Sequence, residues 1–349
     1  MGNGGVKYSS AASADESRYC MRLSIIVPVY NVEGYLSACL DSMIYPELDN
    51  YEIVIVNDGA TDSSPAIAQD YVNRYPRLIR LIHRENGGLG AARNTAIDIV
   101  DSEYLMFVDS DDTLAPNAVP EILKRLDEGF DMCIFAMRSV NEFGEEVTSI
   151  PFIRRDGVFD LPSCPELLLS AHSACNKIYR RTLFTDTGIR YPGRVWYEDM
   201  RTTPKLYLYA GSIVTEARQW YIYLQRSGSI TNSANIEKNL EIIDAVEDLT
   251  SYYKDCGQYE KYKNELEYSA FYNEFLTGSV RVCLADPRHP AAERLRLDFL
   301  TRFPNYRDNP YIQRQPMKHR LLTYLLMHRM TGAVSFIMKL NGKMKNKTA

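Results

Sequence analysis

The sequence predicts an α/β fold: a mostly parallel sheet with helices on both faces, followed by a helical C-terminal region. Three observations carry this expectation. Short apolar, β-branched runs alternate with segments of helical periodicity through the first third of the chain. Alternation of this kind builds a parallel sheet, because each strand returns to its neighbour through a crossover helix. Each apolar run ends in a polar cluster, and past Asn235 the strand pattern stops.

Taken in order, residues 1–20 are rich in Gly, Ser and Ala without apolar period, and are expected to form a disordered leader. Leu23 to Val27, closed by Pro28, reads as a buried parallel strand. Helical periodicity follows from Val32 to about Ile44. A strand at Glu52 to Val56, a helix opening at Asp62-Ser63-Ser64-Pro65 and a strand from Leu78 to His83 come next. The turn Gly87-Gly88-Leu89-Gly90 leads into a helix from about Leu89 to Val100. The strand Tyr104 to Val108 then delivers Asp109-Ser110-Asp111-Asp112, before a helix with Pro116 near its first turn. Three parts are therefore expected: the leader 1–20, a sheet domain over 21–232 and a helical region over 233–349. The helices should run to about Phe303. From Met317 to Leu340 the residues Leu322, Leu326, Met330, Val334 and Ile337 recur near helical spacing among Lys318, Arg320, Arg329 and Lys339, which reads as one basic amphipathic helix.

Composition narrows the function. With 45% hydrophobic and 24% charged residues the chain is an ordinary globular protein, which excludes disordered and collagen-like classes. The net charge of -5 is unevenly spread, since from Asn309 onward there are eight Lys or Arg and no Asp or Glu, leaving -13 on the rest. An acidic body argues against nucleic acid as a partner, because a general binder spreads positive charge over its main face. A basic tail suits peripheral docking on an anionic inner membrane. Packing on the body and a homodimer interface are the other readings of that tail. The seven cysteines contain no Cys-x-x-Cys pair, so neither a disulfide framework nor a zinc site is indicated, and a cytoplasmic, reducing setting fits. No stretch reaches the ~18 apolar residues of a spanning helix.

Ligands of open α/β sheets bind outside the carboxyl ends of the strands. Those ends supply Pro28-Val29-Tyr30-Asn31-Val32-Glu33, Asn57-Asp58-Gly59, Glu85-Asn86-Gly87-Gly88 and Asp109-Ser110-Asp111-Asp112. Tyr30 can stack on a base and Asp58 can accept from a base N–H; alone, each is more often a turn residue, and their shared location raises the base-binding reading above that. The first turn lacks Gly-x-Gly-x-x-Gly, which disfavours a hydride-transfer dinucleotide enzyme, and Gly87-Gly88-Leu89-Gly90 has no Gly-Lys-Ser/Thr ending, so it is no P-loop. Three acids within four residues repel one another, which makes a case for a hard cation such as Mg2+ or Mn2+ on a diphosphate. Helix capping by Asp112 is the competing reading, and it accounts for one acid only. Glu198-Asp199, after a loop with Gly188 and Gly193, offers a general base; the same pair also fits the acidic first turn of a helix to about Tyr209.

These segments together resemble glycosyltransferase family 2, inverting enzymes of the GT-A fold, a Rossmann-like α/β architecture common in bacterial polysaccharide synthesis. The likeness runs from about residue 22 to 230 and is carried by Ser24 to Asn31, Ile55 to Asp62, Asn86 to Asn94, Asp109 to Asp112 and Glu198-Asp199. It implies that Pro28, Tyr30, Glu33 and Asp58 hold uridine with help from Asn86 and Arg93. It also implies that Asp109 meets the ribose or sugar and joins Asp111 in metal binding, that Asp199 is the base, and that Glu198 orients it. Arg226 and Ser229, in a segment that resembles the family's diphosphate-closing stretch, would touch phosphate. Where the family often carries a His there, this chain has Gln225 or Arg226. Ala174 to Tyr179 resembles a stretch on the acceptor side.

The expected activity is therefore hexosyl or N-acetylhexosaminyl transfer from a UDP-sugar to a hydroxyl of a saccharide or lipid-linked oligosaccharide, as in capsule or related cell-surface polymers. A catalytically inactive nucleotide-sugar-binding scaffold subunit is the alternative, against which the joint presence of Asp109, Asp111 and Asp199 speaks. A sugar nucleotidyltransferase would place a glycine-rich loop directly after the first strand, where this chain has Tyr30-Asn31-Val32-Glu33.

Overall fold

The computed structural model describes residues 21–150, 152–226 and 235–345; the expected leader and Ser229 lie outside them. The chain divides into two compact units, one up to Ser227 without residues 165–169, the other made of Pro165–Leu169 and everything from Gly228 onward. The 165–169 segment, which the sequence pattern assigns to the sheet domain, thus belongs to the helical unit.

The first unit is built on nine strands: β1 (Leu23–Val29), β2 (Tyr51–Asn57), β3 (Ile79–His83), β4 (Tyr104–Phe107), β5 (Thr113–Leu114), β6 (Met132–Asn141), β7 (Glu146–Ile150), β8 (Lys177–Arg180) and β9 (Ile213–Gln225). They lie in the order β3-β2-β1-β4-β8-β6-β9-β5, with β7 on β6. The four strands read from the sequence pair in parallel, with Ile25 beside both Ile53 and Met106. Beyond β4 the sheet becomes mixed, because β8 runs antiparallel to both β4 and β6 while β9 is parallel to β6. Every residue of β1 and β2 is buried, as the unbroken apolar runs require of strands covered on both faces.

Helices α1 (Leu36–Asp41), α2 (Ser64–Arg74), α3 (Leu89–Ile99) and α4 (Ala118–Arg125) join the early strands. Two differ from expectation. α1 is shorter than Val32 to Ile44 because Val32 to Tyr35 forms a turn, with the amides of Tyr35 and Leu36 both donating to the Val32 carbonyl. α4 starts two residues after Pro116, since Asn117 is left-handed (φ 63°) and Thr113–Leu114 pairs with β9 as a strand.

The second unit is helical, with no strand among its described residues, and its helices continue well past Phe303. The expected single amphipathic helix is two, Met317–Met327 and Thr331–Lys345. Arg329 stands between them at φ 60°, the Met330 amide donates to the Leu325 carbonyl and the Arg329 amide to the Leu326 carbonyl. This is the hydrogen-bond pattern of a Schellman termination, in which a left-handed residue closes the helix. Leu322, Leu326 and Val334 are buried, while Met330 faces solvent.

Candidate active site

The residues after β1 and β2 are stitched together before any ligand is considered. Pro28 is buried within β1 beside Val56, and Tyr30 just beyond is half exposed. Asn31, left-handed at φ 51°, accepts the Thr61 amide on its Oδ1 at 2.8 Å. Glu33 accepts the Ser63 amide at 2.8 Å, and its own amide donates to Asp62 at 2.9 Å. Asp58 is buried, and its carboxylate pairs with Arg84 while accepting the amides of Gly87 (3.0 Å) and Gly88 (2.8 Å). Asn86 donates its Nδ2 to the Asp58 carbonyl at 3.0 Å. Asp58 and Asn86 therefore share one small cluster, and the Asp58 carboxylate holds the glycine turn.

The three acids after β4 are compensated one by one. Asp109 pairs with Arg93 at 3.0 Å, and its Oδ2 lies 3.1 Å from the Cys175 thiol. Asp111 pairs with Nε of Arg226 at 2.8 Å, and Arg226 stands over the Tyr35 ring. Asp112 is buried and accepts the Tyr221 hydroxyl at 2.6 Å and the Leu224 amide at 2.7 Å. Burial, together with Asp109 and Asp111, pushes its carboxyl well above the usual range. The case for a cation from mutual repulsion alone is thereby corrected: two guanidiniums relieve Asp109 and Asp111, and Asp112 pins the end of β9.

Among the described residues no group of three or more His, Cys, Asp and Glu side chains is arranged to hold a metal. The donor set that remains, one or two partly exposed carboxylates at Asp109 and Asp111, is nonetheless what Mg2+-type ions use when phosphate oxygens and water complete their shell.

Arg93 joins this end of the sheet to the acid pair. It is buried on α3, with Nη2 on Asp109 and Nη1 on Glu198 at 2.9 Å, and it packs over the rings of Tyr191 and Phe107. Burial opposes its charge, but Asp109 and Glu198 more than offset that, so it stays a cation. The competing reading, a helix from Glu198-Asp199 to about Tyr209, does not hold: a turn follows, with the amides of Thr202 and Thr203 donating to the Asp199 carbonyl, and then a four-residue helix, Thr203–Leu206. The Asp199 carboxylate accepts the Met200 amide at 2.7 Å. Burial raises the Glu198 carboxyl to about 7 and raises that of Asp199 above its ordinary value, in both cases against the lowering pull of Arg93.

Tyr221 had no part in the sequence reading, and Cys175 and Lys177 entered it only within the segment Ala174 to Tyr179. Tyr221 receives the Asp109 amide and donates to Asp112, linking β4 to β9. Cys175 lies against Asp109. Lys177 is completely buried in β8 and donates to the carbonyls of Ala171 and Ser173 and to Asn176 Oδ1. Burial lowers its pKa to about 7, while Asp199 pulls it back up. A lysine within the apolar strand Lys177-Ile178-Tyr179 was the available signal.

The fold, with acids gathered at the carboxyl ends of its strands, defines the class, a GT-A α/β domain. Residues 24–188, which lie in the sheet-bearing unit, match the family described as Glycosyl transferase family 2. GlyA, a glycosyltransferase of Streptococcus pneumoniae serotype 4, is 34% identical over 223 residues, which cover 60% of this chain and 31% of GlyA; the match thus spans about a third of that relative. An uncharacterized glycosyltransferase of Escherichia coli K12, YibD, is 29% identical over 297 residues, covering 80% of this chain and 82% of YibD. The crystal structure of Staphylococcus aureus TarS in complex with UDP-GlcNAc superposes with a TM-score of 0.54 at 22% identity, covering 82% of this chain and 92% of that one, which establishes the shared fold.

Proposed function

We propose that this chain transfers a sugar, with inversion, from a UDP-sugar to a hydroxyl of a cell-surface polysaccharide or its lipid-linked precursor. The observation that carries the reading is the Arg93 bridge from Asp109 to Glu198, which brings the acid pair to the carboxyl end of the sheet. TarS supports the choice of donor and acceptor class: it is named a poly(ribitol-phosphate) beta-N-acetylglucosaminyltransferase and is 29% identical over 229 residues, 38% of its length.

In this reading Tyr30, Pro28 and the Asp58–Asn86 cluster receive the uracil, with Glu33 beside them and Arg93 behind Asp109. Asp199 takes the proton of the acceptor hydroxyl as its oxygen attacks the anomeric carbon. The bond from that carbon to the diphosphate oxygen breaks on the opposite face, and UDP leaves with the electron pair. Glu198, tethered by Arg93, orients Asp199. Arg226 faces the diphosphate, and Asp111 with Asp109 would hold Mn2+ or Mg2+, which supplies charge neutralisation there when bound. The raised pKa of the acid pair brings the base toward neutral pH, where proton abstraction is most effective.

Asp199→Asn is expected to lower turnover on the order of 10² to 10⁴-fold, the usual contribution of a general base, with UDP affinity unchanged. Undiminished UDP release by that variant removes Asp199 from the role. A thermal-shift titration with UDP, GDP, TDP and CDP, with and without Mn2+, tests donor and metal together, and a selective Mn2+-dependent shift with UDP is expected. The same reading includes peripheral membrane contact, supported by exposed Met317, Leu321, Tyr324, Phe336 and Leu340 beside basic residues. Co-sedimentation with anionic but not zwitterionic vesicles is its check.

A further inference from the structure

The turn Gly87-Gly88-Leu89-Gly90 takes no part in the chemistry above, yet it lies where the nucleotide side and the acid pair meet. On one side the amides of Gly87 and Gly88 donate to Asp58. On the other there is no room for side chains. A methyl at Gly90 would overlap the carbonyl oxygen of Pro192, and one at Gly88 would stand 2.9 Å from the Arg194 amide nitrogen. One at Gly193 would lie 3.0 Å from the Gly87 carbonyl oxygen. Real Cβ atoms do not approach backbone so closely, so the turn and residues 192–194 pack backbone on backbone.

This seat is locked at both ends. Asn94 donates its Nδ2 to the Tyr191 carbonyl at 2.7 Å and accepts the Tyr191 amide on Oδ1 at 3.0 Å. Arg194 donates from Nη2 to the Asn86 carbonyl. Arg194 and Tyr197 hold φ values of 59° and 62°, which non-glycine residues keep only where their surroundings impose them. Glu198 and Asp199 follow immediately in the chain.

We infer that Gly90 and Asn94 are positioning residues for the transfer reaction: they seat residues 191–194 on the glycine turn and so set where Glu198 and Asp199 stand relative to Asp109. The inference rests on the reading of Asp199 as the base. A misplacement of about 1 Å at a reacting group lowers turnover on the order of 10²-fold. Asp58 keeps its own bonds to Gly87 and Gly88, so nucleotide affinity is expected to hold.

The test uses the full chain, UDP binding by calorimetry with Mn2+, and UDP release from the UDP-sugar that the unaltered chain turns over fastest. Gly90→Ala is expected to lower kcat by ten- to a hundredfold, with the Kd for UDP within twofold. It should also change the emission of Trp196, which stands two residues after the seated segment; the other tryptophan, Trp220, is buried in the sheet core. Asn94→Ser should act in the same direction more weakly, and it keeps the inference testable if Gly90→Ala does not fold. Gly211→Ala, where the methyl meets only Asp131 Oδ2 at 3.6 Å, is the control with unchanged kcat. In an Asp199→Asn background Gly90→Ala should add no further loss. Unchanged kcat in both variants, UDP affinity falling in step with kcat, or additive losses in the double variant would each overturn the inference. Full activity in Asp199→Asn alone overturns it by a separate route, because the positioned base is then absent.

Discussion

Each unit of this protein contains an arginine shared between two acidic side chains, buried at Arg93 and partly exposed at Arg302, and the two clusters differ in what surrounds them. In the sheet unit Arg93 joins Asp109 to Glu198, partners 16 and 105 residues away in sequence, beyond the carboxyl ends of the strands. In the helical unit Arg302 joins Asp298, one turn earlier on the same helix, to Glu274 on the π-helical segment Phe271–Gly278. There the neighbours are aromatic: Phe271, Phe275, Phe299, Phe303 and Tyr306 pack ring against ring. Identical chemistry thus serves two ends. Both guanidiniums lie over aromatic rings, but Arg302 ties helices together, whereas Arg93 stands at the strand ends among the acids proposed to work on a ligand.

If that contrast is right, removing each arginine should fail differently. Arg93→Met is expected to show the largest effect: turnover lost by at least 10²-fold and, because two acids lose the buried guanidinium they share, destabilisation of about 3–5 kcal/mol. Chemical denaturation and UDP release measured on the same sample check both. Arg302→Met should be destabilising by a similar ~3–5 kcal/mol while the folded fraction keeps its kcat. Should both variants lose only stability, Arg93 is structural and the contrast collapses.

A smaller effect sharpens the helical side. Burial pushes the Glu274 carboxyl up to about 8, outweighing the opposite pull of Arg302. A carboxyl raised in the folded state contributes stability that is complete below its ordinary pKa of 4.5 and is lost as pH rises through about 8. Unfolding free energy should therefore fall between roughly pH 4.5 and 8, and Glu274→Gln should flatten that slope. An unchanged slope would place the pH dependence elsewhere. On the side of the proposed base the sign carries a different consequence: a base acts ionised and the Asp199 carboxyl is raised, so the acidic limb of kcat/KM should lie above the ordinary aspartate value. The smallest expected change belongs to Arg226→Lys, where a partly exposed pair with Asp111 is altered and the KM for donor rises a few-fold with kcat nearly unchanged.

Much of the sheet was legible because buried strands and crossover helices write themselves as local patterns. β1 to β4 fall within one or two residues of the apolar runs, and Asp58, Asp109 and Asp111 stand at their carboxyl ends as that pattern demands. The second half of the sheet was less legible. β8 and β9 join it antiparallel and parallel by long connections, and Lys177 in β8 carries a buried charge that no periodicity announces. The break at Arg329 was likewise hidden, since a Schellman ending usually shows itself by glycine and here an arginine takes the left-handed position.

By itself the sequence determined the α/β class, the parallel strands that set the crevice and the acids that line it, because backbone periodicity and residue chemistry act over a few neighbouring positions. Only the tertiary structure decided which acid meets which cation, that the glycine turn seats residues 191–194, and that the basic tail is two helices with part of their apolar surface buried. Those outcomes depend on contacts between residues up to 115 positions apart, a separation over which local pattern carries no information.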